Sequence, residues 1–268
     1  MLVKELLLGY YHTQCLYTVV EYNVAEHLKD GAKSIYELAQ LCGVEEKKLY
    51  RVMRFLAHKG LFEQEKEDYF ALNEHSKCIQ AFNAENHINF IRLHAKFFYP
   101  AAMGLADSLT THVPAFELEF GHNAGQYFID HPEAGEIYNS AMRDNSVLLG
   151  RLITENYDFS PYHTIYDIGG GGGSVLGNIL LKHEKATGVN LDRASVQPLC
   201  EEQFDNMGVA DRAKFLAGDF NQHIPTGADL YIIKAILHAR DDATCVALLT
   251  RVKHALPDNG KVLVIERA

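Results

Sequence analysis

The sequence has little of what would tie the protein to a membrane, a nucleic acid or an oxidising compartment. It has no apolar run of membrane-spanning length, and Lys4, Glu5 and His12 interrupt the apolar pattern at its start, unlike in a signal peptide. Its 25 Lys and Arg are outnumbered by 35 Asp and Glu, and the net charge of −10 argues against nucleic acid or an anionic membrane as the main partner. We therefore expect a globular, cytoplasmic protein.

Neither the cysteines nor the histidines are arranged as a disulfide framework or a metal site. The 5 cysteines are odd in number, widely spread and never in a C-x-x-C pair, so we expect free thiols. The 14 histidines include no His-Glu-x-x-His pattern and no pair at a short ligand spacing. The sequence therefore predicts no metal site.

A run of five glycines, Gly169–Gly173, is the most distinctive stretch of the sequence. It follows a β-branched and aromatic segment and precedes an apolar segment of helical length, an order that predicts strand, tight loop and helix. Glycine has no Cβ and tolerates positive φ, so this loop can turn sharply and let a ligand approach the main chain at the mouth of a parallel sheet.

Three nucleotide-binding patterns compete for this loop. A P-loop is excluded, because it would end in Gly-Lys-Ser/Thr and no lysine stands near Ser174. The dinucleotide pattern G-x-G-x-x-G fits only in part, since Ser174 or Val175 takes the place of its third glycine. The pattern acid-x-G-x-G-x-G resembles the loop of S-adenosylmethionine (SAM)-dependent methyltransferases, and it fits at all four positions: Asp167, Gly169, Gly171 and Gly173.

The segment from Tyr162 onward alternates strand and helix patterns. Apolar runs predict five strands, and the stretches between them predict helices, notably at 194–206 and 243–256. The strands are expected at 164–168, 185–190, 213–216, 229–233 and 261–265. This order predicts an α/β fold with a doubly wound parallel sheet.

The first 80 residues have the pattern of a winged helix. Apolar positions at helical spacing predict two helices over 1–30, and Ser34-Ile35-Tyr36-Glu37 is a capping box that opens a third. A further helix is expected from about Glu45 to Lys59, followed by short strands at 61–64 and 69–72 around a charged turn.

Two uses of this winged helix are considered. DNA binding would use the basic side chains of the last helix, but residues 1–80 hold 10 Lys and Arg against 12 Asp and Glu. The wing is acidic where it would meet phosphates. We therefore favour dimerisation, in which the apolar faces of the first helices bury against a second copy of the chain.

Residues 85–155 are predicted to be helical and are rich in aromatic and methionine side chains. Most of these side chains are expected to be core. Aromatic and methionine side chains that face a cofactor would also form a slot for a flat apolar substrate. Phe128 and Met142 are candidates for this substrate-lining role, with core packing as the alternative.

In a doubly wound sheet, ligands lie beyond the carboxyl ends of the strands, so residues just after each strand are candidate site residues. Asp192 could accept hydrogen bonds from both hydroxyls of a ribose, or it could cap the following helix. Asp219 could accept from an adenine amino group while Phe220 covers the ring. Alternatively, Gly218 and Asp219 could form an ordinary turn.

Together these stretches resemble the small-molecule O-methyltransferases of the caffeate and hydroxyindole type. The resemblance spans nearly the whole chain and is carried by the glycine loop and six further segments: Gly188–Asp192, Gly218–Phe220, Lys234–His238, Ala255–Val262, Pro114–Phe116 and Ala141–Met142. It implies a winged-helix dimerisation domain at 1–84, a helical linker and substrate-pocket region at 85–160, and a SAM-binding, Rossmann-like class I methyltransferase domain at 161–268. It also implies a homodimer that methylates a hydroxyl of a small aromatic metabolite and releases S-adenosylhomocysteine (SAH).

The resemblance implies roles for single residues as well. His238 corresponds to the general base and Glu266 to the carboxylate that orients it. A phenol with a pKa near ~10 is a poor nucleophile at neutral pH, whereas a histidine with a pKa near ~6.5 can accept its proton. The positions implied to contact the cofactor are Asp167, Gly169, Gly171, Asp192, Gly218, Asp219, Phe220 and Lys234, and Met142 corresponds to a substrate-lining position.

Two departures from the family pattern bear on function. Ala239 and Arg240 stand where the family usually has an acid and then a tryptophan, so one polar substrate contact is absent and Arg240 is expected to stack over the adenine. The sequence also stops just after the fifth strand, whereas family members continue. A fragment, a second chain that supplies the rest, and a reduced homologue all fit this end, and a SAM-binding homologue that does not methylate is the alternative function.

Overall fold

The computed structural model describes residues 2–83 and 86–266. The chain divides into two compact units, Met1–Asn145 and Ser146–Ala268. The division at 84/85 and 160/161 stays a prediction, and its first boundary and the last two residues of the chain lie outside the described residues. Within the described residues, no helix is long and apolar enough to cross a membrane.

The first unit begins with helices and a small antiparallel sheet. Up to Lys77 its elements are α1 (Leu2–Leu7), α2 (Gly9–Glu21), α3 (Val24–His27), β1 (Lys33–Ser34), α4 (Ile35–Cys42), α5 (Glu46–His58), β2 (Phe62–Lys66), β3 (Tyr69–Leu72) and α6 (Glu74–Lys77). The strand order is β1-β3-β2.

The predicted winged helix is present, with three local differences. Residues 2–27 form three helices instead of two, and Asn23 has left-handed backbone (φ 50) between α2 and α3. Strand β2 continues through a bulge to Lys66, into the residues predicted as the turn. The third difference is β1, which at two residues is too short to leave an alternating pattern.

Local side-chain chemistry explains why α4 and α5 form. Ser34 and Glu37 make the predicted capping box, in which the Ser34 N–H donates to Glu37 Oε2 at 2.9 Å and the Glu37 N–H donates to Ser34 Oγ at 3.3 Å. On α5, three apolar side chains at helical spacing are buried: Leu49, Met53 and Leu56. The basic side chains of α5 therefore lie on its exposed face.

The remaining helices of the first unit enclose an aromatic cluster. They are α7 (Ile88–Leu93), α8 (Tyr99–Ala102), α9 (Leu105–Thr111), α10 (Ala115–Phe120), α11 (Ala124–Asp130) and the first part of α12 (Pro132–Asn156), whose residues after Asn145 belong to the second unit. A π-helical stretch, His94–Phe98, joins α7 to α8. Six buried side chains form the centre of the cluster: Leu93, Ala101, Phe116, Phe128, Ala134 and Ala141.

The second unit contains a five-stranded parallel sheet. Its strands are β4 (Thr164–Ile168), β5 (Thr187–Asp192), β6 (Ala213–Ala217), β7 (Leu230–Lys234) and β8 (Lys261–Ile265), in the order β6-β5-β4-β7-β8. Its helices are α13 (Ser174–Lys182), α14 (Gln197–Asn206) and α15 (Asp242–Ala255). The predicted doubly wound sheet is confirmed, and the strand bounds agree within two residues.

Both faces of this sheet are buried, as expected for parallel strands. On β7, Leu230 and Ile232 belong to one hydrophobic cluster, and the alternate residues Tyr231 and Ile233 belong to another. The first cluster includes side chains of α13 and α14, and the second includes side chains of α15. The carboxyl ends of β5, β4 and β7 are therefore neighbours at one edge, where the chain reverses its direction of winding about β4.

Candidate active site

Three glycines of the loop after β4 have backbone conformations that favour glycine. Gly169, Gly171 and Gly173 have φ values of 68, 56 and 76°. A Cβ on Gly169 would lie 2.6 Å from Ile236 Cδ1, and one on Gly173 would lie 2.6 Å from the Phe204 ring. In contrast, a Cβ on Gly171 would meet no heavy atom within 4 Å. The loop is therefore packed at both ends and open at its middle.

Two side chains of β5 hold the open middle of the loop. The amide Nδ2 of Asn190 donates to the Gly171 carbonyl at 2.7 Å, and the Gly171 N–H donates to Asp192 Oδ2 at 2.9 Å. The other oxygen of Asp192 accepts from the Arg193 N–H at 2.7 Å. Asn190 is not among the site residues predicted from the sequence, although an amide inside an otherwise apolar parallel strand is a signal that could have indicated it.

Asp167, the acid of the glycine pattern, lies beneath the loop and is fully buried. Neither of its carboxylate oxygens has a hydrogen-bond partner among the described residues. Burial raises the pKa of Asp167 to about 7, with the nearby Lys234 lowering it and the negative Asp192 raising it further. The structure therefore places Asp167 under the loop, away from its open middle.

The turn after β6 carries the predicted adenine-binding residues. The exposed Asp219 accepts hydrogen bonds from the Asn221 N–H at 2.9 Å and from Gln222 Nε2 at 3.0 Å. These bonds, the Asn221 N–H first, outweigh partial desolvation and lower the pKa of Asp219. The Gly218 N–H donates to the Asp192 carbonyl at 2.9 Å, which joins this turn to the end of β5.

Arg240 lies against this turn. Its guanidinium carbon is 5.2 Å from the centre of the Phe220 ring, and its Nη1 donates to Asn221 Oδ1 at 2.6 Å. Arg240 and Phe220 are thus packed together and partly exposed. Stacking of Arg240 over an adenine stays a prediction.

The ends of β7 and β8 bring the predicted catalytic residues together. Nδ1 of His238 lies 2.7 Å from Glu266 Oε2, and Glu266 Oε1 accepts from the N–H groups of Ile236 at 2.8 Å and Leu237 at 2.6 Å. Burial raises the pKa of Glu266, but the hydrogen bond from His238 and the two main-chain bonds outweigh it and leave that pKa below its usual value. The His238 side chain is 53% exposed.

The turn between Lys234 and His238 has an unusual backbone. Ala235 has left-handed backbone (φ 54), and its N–H donates to the Ile265 carbonyl at 3.0 Å. This bond joins the end of β7 to the end of β8. It therefore keeps His238 close to Glu266, although 28 residues separate them.

The two predicted substrate-lining residues lie in the first unit. Phe128 is buried, with its ring 4.6 Å from that of Tyr138 and 5.3 Å from that of Phe97. Met142 is partly buried and packs against the same cluster. The contacts of Phe128 are those of a core residue, and a substrate contact for either residue stays a prediction.

Across the described residues, no three His, Cys, Asp or Glu side chains are grouped so that they could hold a metal ion. The site instead contains the exposed imidazole of His238, which is hydrogen-bonded to the carboxylate of Glu266. Beside it lies a glycine loop that is flanked by acidic side chains at two strand ends. This arrangement can take a proton from a substrate and accept hydrogen bonds from a polar ligand.

Two family models match the chain. The model of the O-methyltransferase dimerisation domain matches residues 4–80, and that of the O-methyltransferase domain matches residues 103–268. The predicted combination of a dimerisation domain with a Rossmann-like methyltransferase domain is confirmed by these matches and by the parallel sheet.

Known proteins are similar over nearly the whole chain. The phenazine O-methyltransferase PhzM of Lysobacter antibioticus is 30% identical over 265 residues, which are 99% of this chain and 78% of that protein. The mitomycin biosynthesis 6-O-methyltransferase of Streptomyces lavendulae is 33% identical over 266 residues, which are 98% of this chain and 76% of that protein. The SAH-bound structure of CalO1, a methyltransferase in calicheamicin biosynthesis, superposes with a TM-score of 0.89 at 30% identity, covering 98% of this chain and 78% of that one.

Proposed function

Because the chain belongs to the SAM-dependent O-methyltransferase family, we propose that it transfers the methyl group of SAM to a hydroxyl of a small aromatic metabolite, with His238 as the general base. The observation that carries the proposal is the 2.7 Å contact between His238 Nδ1 and Glu266. The similar proteins named above act in phenazine and mitomycin chemistry, which supports an aromatic substrate class.

The hydrogen bond between Glu266 and His238 supports the proposed role of His238 as the general base. Because Nδ1 faces a carboxylate, it carries the ring proton and donates it, so Nε2 holds the lone pair. Among the described residues, none hydrogen-bonds to Nε2. An exposed Nε2 accepts the hydroxyl proton of the substrate as the oxygen becomes nucleophilic, and Glu266 then stabilises the imidazolium that forms.

The residues around the glycine loop fit SAM, which supplies an electrophilic methyl group on a sulfonium. The main chain at Gly171 is open, and a carboxylate has about four acceptor positions, of which Asp192 uses one on each oxygen for a main-chain N–H. Asp192 therefore keeps capacity for ribose hydroxyls. Asp219, Phe220 and Arg240 would hold the adenine, and the other proposed cofactor contacts are Asp167, Gly169, Gly171, Gly218 and Lys234.

We expect His238→Ala to lower methyl transfer by about 10²–10⁴ fold while SAH affinity stays nearly unchanged, because a general base acts on the substrate proton. The measurement is single-turnover transfer from labelled SAM to a panel of phenols, with SAH binding by calorimetry. His254→Ala, which removes an exposed histidine of α15, is the matched control and should transfer normally.

Two results would count against this proposal. Transfer by His238→Ala at the wild-type rate would contradict the assignment of the base. Tight SAH binding by a wild type that methylates none of the phenols would favour the non-methylating alternative.

We also propose that the protein is a homodimer and does not read DNA. The match to the dimerisation domain over residues 4–80 supports this, as do the exposed apolar side chains of α1: Leu2, Val3, Leu6 and Leu7. Sedimentation should give the mass of two chains. A monomer, or salt-sensitive DNA binding at physiological ionic strength, would contradict the proposal.

A further inference from the structure

Three oxygen atoms under the glycine loop lack a hydrogen-bond donor. They are both carboxylate oxygens of Asp167 and the side-chain Oδ1 of Asn190, and none has a partner among the described residues. A Cβ built on Gly170 would overlap both Asn190 Oδ1 and Asp167 Oδ2. The acceptor oxygens of the two side chains therefore point into the same small space. In a buried site this arrangement is unfavourable unless a proton lies between them.

Asn190 cannot relieve this conflict by turning its amide. Its Nδ2 donates to the Gly171 carbonyl at 2.7 Å and lies 3.0 Å from Cys200 Sγ, so an exchange of the amide nitrogen and oxygen would place Oδ1 against that carbonyl. The Oδ1 atom is thereby fixed on the side of Asp167.

The groups around Asp167 come from three elements. Lys234 on β7 attracts a negative charge on Asp167, whereas Asp192 on β5 repels it. The thiol of Cys200 on α14 is in contact with the Asn190 amide. None of these groups donates a hydrogen bond to Asp167.

We propose that Asp167 is a neutral carboxylic acid that donates its proton to Asn190 Oδ1, and that this pair positions the glycine loop for SAM. One proton satisfies an orphan oxygen on each side chain and holds Asn190 in the orientation in which it binds the Gly171 carbonyl. Asn190 and Asp167 thus act as positioning residues. The inference rests on the proposed SAM site and is independent of His238.

The proposal makes SAM binding sensitive to pH in a defined direction. Burial raises the pKa of Asp167 to about 7, so the carboxyl group loses its proton within the pH range in which binding can be measured. The ionised carboxylate of Asp167 then faces Asn190 Oδ1 with no proton between them. The hydrogen bond from Asn190 Nδ2 to the Gly171 carbonyl becomes weaker as a result. Binding should therefore weaken as pH rises through 7, because only the protonated pair holds the loop in its binding form.

The test compares the wild type with Asp167→Asn. Asparagine has the same shape, and its amide can donate to Asn190 Oδ1 at every pH. SAH dissociation constants are measured for both proteins from pH 6 to 9, and the ratio of the two constants cancels the titration of SAH itself. The ratio of wild type to variant should rise about 15-fold between pH 7 and 8.5, since the protonated fraction falls from one half at the pKa to a few per cent 1.5 pH units above it. A ratio that stays constant overturns the proposal.

Asp229→Asn is the matched control. Asp229 lies beside the opposite end of β4, and its carboxylate accepts from the N–H groups of His163 at 2.8 Å and Thr164 at 3.0 Å. The same substitution there should lower stability but leave the pH dependence of SAH binding as in the wild type. A control that reproduces the Asp167→Asn result would show a general effect on the sheet and overturn the proposal.

A second measurement decides the matter if Asp167→Asn does not fold. Carbon NMR of the wild type labelled in its aspartate carboxyls should show one group that titrates near pH 7, and the absence of any aspartate titrating above about pH 5 would overturn the proposal. Should the wild type fail to bind SAH, the proposed SAM site is wrong. The carboxyl titration then tests the protonated pair alone.

Discussion

Two carboxylates at strand ends of the same sheet, Asp167 on β4 and Glu266 after β8, have opposite surroundings. Burial acts against a charge on both. Glu266 nevertheless accepts hydrogen bonds from two main-chain N–H groups and from His238, and its pKa lies below the usual value. Asp167 accepts none from the described residues, and its pKa is raised to about 7. The deeper burial of Asp167 and the donors around Glu266 together shift the two pKa values in opposite directions.

The positions of the two strands explain this difference. Strand β4 lies between β5 and β7, and the glycine loop covers its carboxyl end. Strand β8 has a neighbour only on the β7 side within the described residues, and the turn after β7 directs the N–H groups of Ile236 and Leu237 toward Glu266 at its end. The central strand therefore places Asp167 in a buried position below the glycine loop, and the outer strand places Glu266 beside the exposed His238.

Among the carboxylates of this comparison, the largest effect on methyl transfer is expected for Glu266. Glu266→Gln keeps the size of the side chain but removes the charge that stabilises the imidazolium of His238. Methyl transfer should fall by about 10–10² fold, less than the ~10²–10⁴ fold expected for loss of the base itself, and SAH affinity should not change.

Single-turnover kinetics with calorimetry on each variant check this result. Glu202→Gln, at an exposed position of α14, is the matched control and should behave as the wild type. A Glu266→Gln variant with full activity would show that Glu266 is not needed to orient the base.

A third carboxylate, Asp192, extends the comparison, because it is buried and yet accepts hydrogen bonds from main-chain N–H groups. The residue is only 8% exposed, yet each carboxylate oxygen accepts a main-chain N–H. Asp192→Ala should weaken SAH binding by about 1–3 kcal/mol, since the Gly171 N–H loses its partner and the ribose loses its acceptor. Calorimetry measures the change, and tighter binding of NAD than of SAH by the wild type would instead reject the SAM site.

The last expected effect is on the pH dependence of stability, and its sign differs between the two carboxylates. The folded-state pKa of Asp167 is raised, so its contribution is present below its unfolded pKa of about 4 and is lost as pH rises through about 7. The pKa of Glu266 is lowered, so its contribution is present above about 4.5 and is lost as pH falls.

Thermal unfolding of Asp167→Asn and Glu266→Gln from pH 3 to 8 checks both signs. The melting temperature of the wild type relative to Asp167→Asn should fall between pH 4 and 7. Relative to Glu266→Gln it should fall only below about pH 4.5. The same pH trend for both variants would contradict the contrast between the two groups.

The second unit could be predicted closely from sequence for a physical reason. Parallel strands buried on both faces leave continuous apolar runs, and the left-handed turns after β4 favour glycine, so strands and loop are visible in the residue pattern. The ends of the strands then predicted where Asp192, Asp219, His238 and Glu266 lie.

Contacts between residues far apart in sequence could not be predicted. The packing of Arg240 on Phe220 and the hydrogen bond from Asn190 to Gly171 depend on how strands align in space. The role of Phe128 is similar, because a helical aromatic pattern predicts burial without saying which rings will meet. The short strand β1 forms through pairing with β3 alone and has no pattern of its own.

The order of the strands along the chain has a consequence for synthesis. The residues proposed to bind SAM lie mostly between Asp167 and Phe220, whereas the proposed catalytic pair of His238 and Glu266 is complete only at Glu266. Strand β4 is joined at its start by Asp229, which follows His163 by 66 residues. A growing chain therefore makes most of the residues proposed to bind SAM first, anchors their central strand later, and forms the proposed catalytic pair only after strand β8 has been made.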